Sequence, residues 1–268
     1  MFWLLLGLIG LFVGVFGTLI GAAGGFLLVP VLLFLYPQDT SATITSISLT
    51  VAFFNALSGS VAYGRLRRID YRSGLLFSLP GMAGAIIGAN ITTLLSRGIF
   101  QVLFGAALLI AAAYLMIWPA RKRATSVVTN HPVRKFTDGH GNSYTYSYSR
   151  ILGIAIAFGV GLLSGLLGIG GGIIHVPALT QLLCFPIHIA TATSHFVVAI
   201  TTSSAVITHI FTGAYVHGVR RALVLSAGAI IGAQLGARLS QRVSGVLIIR
   251  LLAGGLAIVA IRLLIVSL

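Results

Sequence analysis

Acidic side chains are almost absent from this chain of 268 residues. It contains no glutamate, and its three acids are Asp39, Asp70 and Asp138. None of them lies deep in an apolar segment, which argues against a carboxylate proton relay or a carboxylate cage for a cation. Charged residues make up 7% of the chain, whereas a water-soluble domain carries roughly a quarter. With a hydrophobic fraction of 57% and a mean hydropathy of +1.06, this composition predicts a polytopic membrane protein.

Cysteine and the common catalytic motifs are also scarce. Cys184 is the only cysteine, which excludes a disulfide framework within the chain and a multi-cysteine metal site. The motifs HExxH, GxSxG and the Walker lysine loop do not occur, so we expect no enzyme activity, no cofactor and no metal. The net charge of +14 does not indicate nucleic-acid binding, because the basic residues lie at the ends of apolar segments, as in proteins embedded in a lipid bilayer. Residues 1–6 carry no Lys or Arg, so we expect no cleaved signal peptide.

A polar, basic and tyrosine-rich stretch divides eight long apolar segments into two groups. We divide the chain into a first transmembrane repeat (1–118), a linker (119–150) that we expect in the cytoplasm, and a second transmembrane repeat (151–268). The last apolar segment covers approximately residues 246–265. Within the linker, Asp-Gly and Gly-Asn turn signals between alternating residues predict a small β-hairpin.

The two groups of apolar segments contain the same glycine-rich motif. Residues 17–30 read GTLIGAAGGFLLVP and residues 164–177 read SGLLGIGGGIIHVP. Further on, the run AIIGA occurs at residues 85–89 and again at 229–233. A duplicated membrane protein with a glycine-rich break in each half is typical of secondary transporters. At an offset of 147, Gly21, Gly24, Gly25, Val29 and Pro30 fall on Gly168, Gly171, Gly172, Val176 and Pro177.

The first apolar segment of each half is too long for a single span. About 35 residues of helix would reach roughly 50 Å, whereas the hydrocarbon core is roughly 30 Å thick. Each segment therefore predicts a full span, a glycine turn near the membrane midplane and a short helix. The fold class is thus an all-α membrane protein, a duplicated helical bundle of about eight to ten transmembrane elements with glycine-broken helices in each half.

The number of elements decides how the halves are related. Five elements per half would make them inverted, and four would make them parallel. The inverted arrangement places Arg238 on the same side as Arg65, with Arg97 and Arg221 on the other; the parallel arrangement moves Arg221 to the side of Arg65 and Arg238 away from it. The basic residues satisfy the positive-inside rule equally well in both cases. Segment length favours the inverted arrangement.

The glycine turns are candidates for a substrate site. The first N–H groups of a helix are unpaired and its dipole is positive there, so two helix starts facing each other would bind an anion without a charged side chain. Close helix packing is the alternative explanation, and packing alone explains the glycines that recur every fourth residue from Gly84 and from Gly228. The predicted substrate-binding glycines are Gly21, Gly24, Gly25, Gly168, Gly170, Gly171 and Gly172.

A polar stripe follows the second motif. From His188 to Thr212, hydroxyl and imidazole side chains share one helical face, while Ile189, Ile207 and Phe211 fall on the other. Such a stripe should face the protein interior or a wet pathway, although each hydroxyl could instead bond to its own helix. We predict substrate contacts from Thr45, Ser46, Asn55, Ser194, His195 and Thr202. We predict proton coupling by His195, His209 and His175; as a lone intramembrane histidine, His175 could equally be a hydrogen-bonded scaffold.

The second motif resembles that of the TauE/SafE family of sulfite exporters. The stretch from Gly165 to Pro177 reads GxxGxGGGxxxxP, and the runs ATITS (42–46) and ATATS (190–194) follow the two motifs. The resemblance covers nearly the whole chain and implies a four-plus-four permease. It further implies transport of small anions such as sulfite, sulfonates or sulfoacetate across the bacterial inner membrane. The first half departs from the pattern at Thr18 and Ala23, and the second at His195 and His217.

These observations predict a multi-pass permease of the bacterial inner membrane. The expected function is transport, with export as the expected direction, of a small inorganic or organic anion such as sulfite or an organosulfonate. The several-cysteine chemistry of a related thiosulfate-uptake family is not available to Cys184 alone. A passive anion channel is the alternative, and saturable, proton-dependent flux would separate the two. A membrane scaffold acting through the basic linker would show no flux. A homo-oligomer is possible.

Overall fold

Helices account for most of the described chain. The computed structural model describes residues 2–117, 133–139, 141–215 and 218–240, with residue 254; the last apolar segment and residues 118–132 lie outside this set. Its elements are α1 (Phe2–Ile20), α2 (Gly25–Leu35), α3 (Ser41–Arg65), α4 (Tyr71–Leu94), α5 (Arg97–Ile117), β1 (Val133–Thr137), β2 (Ser143–Ser147), α6 (Arg150–Leu167), α7 (Gly172–Pro177), α8 (Ile187–Phe211) and α9 (Val219–Leu239). A π-helical turn, Ala178–Leu182, continues α7.

Six helices within these ranges are long and apolar enough to cross a bilayer, namely α1, α3, α4, α6, α8 and α9. Large apolar side chains on them are exposed, such as Phe211 at 86% and Leu94 at 84%. Exposed apolar surface of this kind is unfavourable in water but fits hydrocarbon. The prediction of an all-α membrane protein is therefore confirmed.

Both long first segments break at the predicted glycines. α1 ends at Ile20 and α2 begins at Gly25, while α6 ends at Leu167 and α7 begins at Gly172. We call the connections break 1 (residues 21–24) and break 2 (residues 168–171). Glycine reaches a positive φ without steric cost, which explains why the chain turns here. The φ angles are 86° at Gly21, 79° at Gly24, 72° at Gly168 and 73° at Gly170 and Gly171.

Two helix pairs lie against each other along glycine seams, α1 along α9 and α6 along α4. A Cβ atom at Gly14 would lie 2.5 Å from the carbonyl oxygen of Ala229. A Cβ at Gly84 or Gly88 would overlap the backbone of α6. Helix backbones approach this closely in lipid only where the residues are small. The packing role predicted for the glycines from Gly84 and from Gly228 is therefore confirmed.

The central helices α3 and α8 run in opposite directions. Gly59, late in α3, lies against the ring of His195, early in α8. Leu49, earlier in α3, shares an apolar cluster with Ala205, later in α8. The two helices have equivalent places in the order of elements, and each has 25 residues. Opposite directions of equivalent helices are what an inverted repeat requires, and we interpret the halves in this way.

The basic residues divide between two ends of the bundle. α3 and α9 finish at one end, where Arg65 and Arg238 line the same cavity. We call it the hairpin end, because the linker hairpin lies there. At the opposite, far end, Arg97 donates to the Asp39 carbonyl at 2.6 Å and Arg221 pairs with the Asp39 carboxylate at 2.5 Å. This distribution matches the inverted arrangement and not the parallel one.

The repeated AIIGA runs do not occupy equivalent positions. Gly84 faces the carbonyl of Phe158 and the N–H of Leu162, and Gly232 faces the carbonyl of Leu11 and the N–H of Val15. Gly84 and Gly232 are 148 residues apart, whereas the AIIGA runs are 144 apart. The letter match is therefore displaced by about one helical turn. A helix face with a small residue at every fourth position repeats itself after a shift of four residues. The AIIGA match therefore does not show which residues of the two halves are equivalent.

The linker hairpin is anchored on Asp70. β1 and β2 pair antiparallel, which confirms the predicted hairpin. The Asp70 carboxylate caps α4 by accepting from the Ser73 N–H at 3.2 Å. It also pairs with Arg134 at 2.6 Å and accepts from the Tyr146 hydroxyl at 2.8 Å. The Tyr146 ring packs on Phe185, with centroids 4.5 Å apart. These contacts join the hairpin to the α3–α4 connection and to the segment that precedes α8.

Removing the Arg134 charge should loosen the hairpin. The change Arg134→Gln leaves the Asp70 carboxylate without its cation, and a hydrogen bond to a charged group contributes about 1.5–3 kcal/mol. We expect faster hydrogen exchange of the β1 and β2 amides, measured by mass spectrometry. The control Lys135→Gln removes the same charge from an exposed neighbour and should leave exchange unchanged. If the β1 and β2 amides exchanged equally fast in Arg134→Gln and Lys135→Gln, the ion pair of Arg134 with Asp70 would not anchor the hairpin.

The same anchor predicts a pH dependence. Burial alone would raise the pKa of Asp70, but hydrogen bonds from Ser73 and Tyr146 and the charge of Arg134 outweigh it and lower the pKa. Docking of the hairpin is therefore fully stabilised above the ordinary carboxyl pKa of about 4. The stabilisation is lost as the pH falls through the lower pKa of the docked state. Hydrogen exchange of the hairpin, corrected for intrinsic rates, should accelerate in that acid range and not at neutral pH.

Candidate functional site

The two breaks meet in the interior of the bundle, backbone against backbone. A Cβ atom at Gly25 would lie 2.6 Å from the carbonyl oxygen of Gly168. A Cβ at Gly172 would overlap the carbonyl oxygen of Gly21. These two contacts correspond to each other when the halves are exchanged at the offset of 147. All residues of both breaks are buried, so each break covers the unwound backbone of the other.

Hydroxyl groups of the central helices satisfy the carbonyls of the breaks. Ser48 of α3 donates to the Gly168 carbonyl at 2.7 Å, and Ser194 of α8 donates to the Gly21 carbonyl at 3.2 Å. Irregular backbone is tolerated at membrane depth only where protein or water satisfies it in this way. Ser194 was predicted and Ser48 was not. The two serines are 146 residues apart, whereas the ATITS and ATATS runs are 148 apart and single out Ser46 instead.

Other predicted contacts have local partners. The Ser46 hydroxyl donates to the Thr43 carbonyl at 2.8 Å, and the Thr202 hydroxyl donates to the Val198 carbonyl at 2.6 Å. Both therefore bond to their own helix, as the alternative explanation of the polar stripe states. Thr45 is different, because it lies against Gly168 and its buried hydroxyl has no hydrogen-bond partner. The stripe faces inward, but Ile189, placed on its opposite side, is also fully buried.

A buried hydrogen-bond network stands beside break 1. Thr18 of α1 donates from its hydroxyl to Asn55 Oδ1 at 2.5 Å, and Asn55 Nδ2 donates to the Gly14 carbonyl at 3.3 Å. His195 Nε2 lies 3.3 Å from the same Thr18 hydroxyl, and the Tyr63 hydroxyl donates to the Thr18 carbonyl at 2.9 Å. The fold thus brings together the predicted Asn55 and His195. Sequence reasoning missed Tyr63 and noted Thr18 only as a departure from the glycine pattern.

The network determines which ring nitrogen of His195 carries the proton. The Thr18 hydroxyl has one hydrogen, which it donates to Asn55 Oδ1, so it can only accept from His195 Nε2. In the neutral ring Nδ1 is then the unprotonated nitrogen, and it makes no hydrogen bond in this arrangement.

The three predicted proton-coupling histidines do not form one cluster. His209 is 14 residues beyond His195 on α8, which is about 21 Å along a helix. It is fully buried, and neither ring nitrogen has a partner. Extending the antiparallel pairing of α3 and α8 by one turn puts His209 level with Thr45. His175 lies on α7 and contacts the ring of Phe77, with centroids 6.1 Å apart.

The amino-acid sequence of the chain is similar to those of known membrane proteins. Residues 6–263 match the family of the sulfite exporter TauE/SafE. The chain belongs to this family. It is 37% identical over 248 residues to a probable membrane transporter protein, YunE, of Bacillus subtilis (strain 168), an alignment that covers 90% of both chains. It is 25% identical over 252 residues to a probable membrane transporter protein of Methanocaldococcus jannaschii, covering 90% of this chain and 87% of that one. No solved structure matches the chain significantly.

This TauE/SafE family member is therefore a multi-pass membrane transporter. The glycine pattern behind the family resemblance coincides with the two breaks, at Gly168, Gly170, Gly171 and Gly172 in the second half. Within the described part of the chain, no group of three His, Cys, Asp or Glu residues could hold a metal ion. The polar groups gathered at the breaks are backbone amides, hydroxyls, one amide side chain and imidazole.

Alanine at the meeting point should separate the breaks. Gly172→Ala or Gly25→Ala places a methyl group inside the backbone of the other break, and overpacking of this kind typically costs about 1–3 kcal/mol. We expect a lower thermal unfolding midpoint in detergent and loss of transport. Gly159→Ala is the matched control, because no atom lies within 4 Å of a Cβ at that position of α6. Wild-type behaviour of both Gly25→Ala and Gly172→Ala would disprove the contact.

Proposed function

We propose that this transporter moves a small anion, sulfite or an organosulfonate, out of the cell through the junction of the two breaks. The observation that carries the proposal is the buried contact between the two glycine-rich breaks, in which the first residue of α2 and the first residue of α7 each lie against the other break. The hairpin end, which carries Arg65, Arg238 and the basic linker, is the cytoplasmic end in this proposal. The membrane would then be the bacterial inner membrane.

The sign of the substrate follows from the charges around the junction. None of the three acids is near it: Asp39 lies at the far end, and Asp70 and Asp138 lie at the hairpin end. The starts of α2 and α7 have no side-chain cap. No acidic side chain therefore competes with an anion for these positive helix ends. Transporters with broken helices use such ends to bind anionic groups.

The closed packing of the breaks favours a carrier over a passive channel. Backbone fills the junction in this conformation, so an anion can pass only after the two breaks move apart. If the halves form an inverted repeat, rocking one half against the other would open the junction to each end in turn. A permanently open pore would instead leave the two breaks separated.

Flux across a sealed membrane tests the proposal. The purified full-length protein is reconstituted into liposomes, and efflux of ³⁵S-labelled sulfite is measured with unlabelled sulfite, sulfonates or sulfate outside. A carrier predicts saturable efflux that is accelerated by its substrate on the opposite side. Efflux that rises linearly with concentration and shows no such acceleration would establish the passive channel. If labelled sulfite leaves these liposomes no faster than empty ones, whichever anion is outside, the result would contradict transport of sulfite and favour the membrane scaffold.

Proton coupling by His195 is a separate expectation. His195→Gln can keep the hydrogen bond to Thr18 through its amide nitrogen but cannot carry a proton. If export is coupled to protons, we expect the pH dependence of efflux to flatten, while a residual anion leak remains because the breaks are intact. His209→Gln provides the second arm. If both variants keep the wild-type pH profile, the polar stripe is only a wet pathway.

A further inference from the structure

Arg68 is a buried cation without a partner. It lies in the α3–α4 connection, where its backbone N–H donates to the Tyr63 carbonyl at 3.2 Å. Its side chain is 8% exposed, and the Nε and Nη1 atoms are buried without a hydrogen-bond partner. Its neighbours Arg65, Arg67 and Arg72 are exposed. Burying a charge is expensive unless it is paired and hydrogen-bonded, so Arg68 requires an acceptor from outside the described residues.

The acids near Arg68 do not supply this acceptor. Asp70 is engaged by Arg134, and the other ion pair in the described ranges, Arg221 with Asp39, lies at the far end. Asp138 accepts from the backbone N–H and the side-chain amide of Asn142. The charges of Arg68 and Asp138 both act on His188 and Tyr144, but the ion pairs among the described residues are those of Arg134 with Asp70 and of Arg221 with Asp39.

The start of α8 adds a positive helix end and a half-buried imidazole beside Arg68. The Asp70 N–H donates to the Thr193 hydroxyl at 3.1 Å, which holds the α3–α4 connection against the first turns of α8. The residue before α8, Pro186, provides no side-chain cap, so the positive end of a 25-residue helix is uncapped there. His188 in the first turn is half-buried and experiences the charge of Arg68. The Gly139 N–H, from the hairpin turn, donates to the Leu66 carbonyl at 3.0 Å and covers the connection.

We propose that Arg68, with His188 and the start of α8, binds a small oxyanion beneath the linker hairpin. The planar guanidinium of arginine can bind two oxygens of a sulfite, sulfate or phosphate group at once through one of its forks, and the buried Nε and Nη1 atoms of Arg68 have no partner among the described residues. At the far end, the residue 146 positions after Arg68 is Ala214, so this position of the second half carries no guanidinium. The site does not depend on the proposed transport function, since binding can be measured without flux.

Ligand-dependent stability tests the site. The thermal unfolding midpoint of the full-length protein in detergent is measured against sulfite, sulfate and phosphate, with chloride at matched ionic strength. A bound oxyanion raises the midpoint saturably by mass action, whereas general salt effects of sulfate act on all variants alike. We expect Arg68→Gln to lose the saturable rise. Arg72→Gln removes the same charge from an exposed neighbour and should keep it. The proposal would be overturned if the unfolding midpoint of Arg68→Gln rose as much as that of the wild type. It would also be overturned if the midpoint of the wild type rose with none of these anions and not with the lipid described below.

Arg68→Lys keeps the test decisive if Arg68→Gln does not fold. It retains the charge but not the planar fork, so the half-saturating concentration should rise by about tenfold or more. An unchanged half-saturating concentration would contradict binding by the guanidinium. Phosphatidylglycerol added to the micelles, with phosphatidylcholine as control, distinguishes a lipid phosphate from a free ion. Stabilisation that needs Arg68 and appears only with phosphatidylglycerol would assign the oxyanion to a lipid headgroup.

Discussion

A helix can break inside an apolar membrane only where its freed backbone is satisfied and covered. In this transporter the two breaks cover each other. Gly25 and Gly172 allow the backbones to touch, while Ser48 and Ser194 donate to the exposed carbonyls. The rest of the bundle surrounds this contact, with α3 and α8 across it and the glycine seams holding the outer helices in register. A residue larger than glycine at the contact disturbs both halves at once.

The surroundings of the breaks are less symmetric than the breaks themselves. Only break 1 has the buried network of Thr18, Asn55 and His195. Among the described residues, the buried arginine without a hydrogen-bond partner, Arg68, lies at the hairpin end. Because of such differences, opening the junction to one end would expose different groups than opening it to the other. The polar chemistry of the chain is concentrated where the repeat is imperfect.

Much of the fold, and part of the site, could be predicted from the sequence. Segment length and glycine placement located both breaks, and the Asp-Gly turn signal located the hairpin. The register of the later helices could not be predicted, because a seam of small residues matches itself after one turn. The hydrogen-bond partners of the hydroxyl groups could not be predicted either. Ser46 and Ser48 are both buried, but Ser46 donates to its own helix and Ser48 donates to a carbonyl of break 2. The partnerless state of Arg68 depends on where the other acids lie in space.

A reversible cross-link between the breaks tests the central claim most directly. The Cβ of Ala23 lies 3.6 Å from the Cβ position of Gly170, which is within the range that a disulfide spans. In a Cys184→Ser background, Ala23→Cys with Gly170→Cys should form a disulfide. Gly170 has a φ of 73°, so a cysteine there is strained, and the reduced double variant is the reference: its efflux of labelled sulfite from liposomes should stop on oxidation and return on reduction. Full efflux from completely cross-linked protein would show that the breaks need not part, and would contradict transport through their junction.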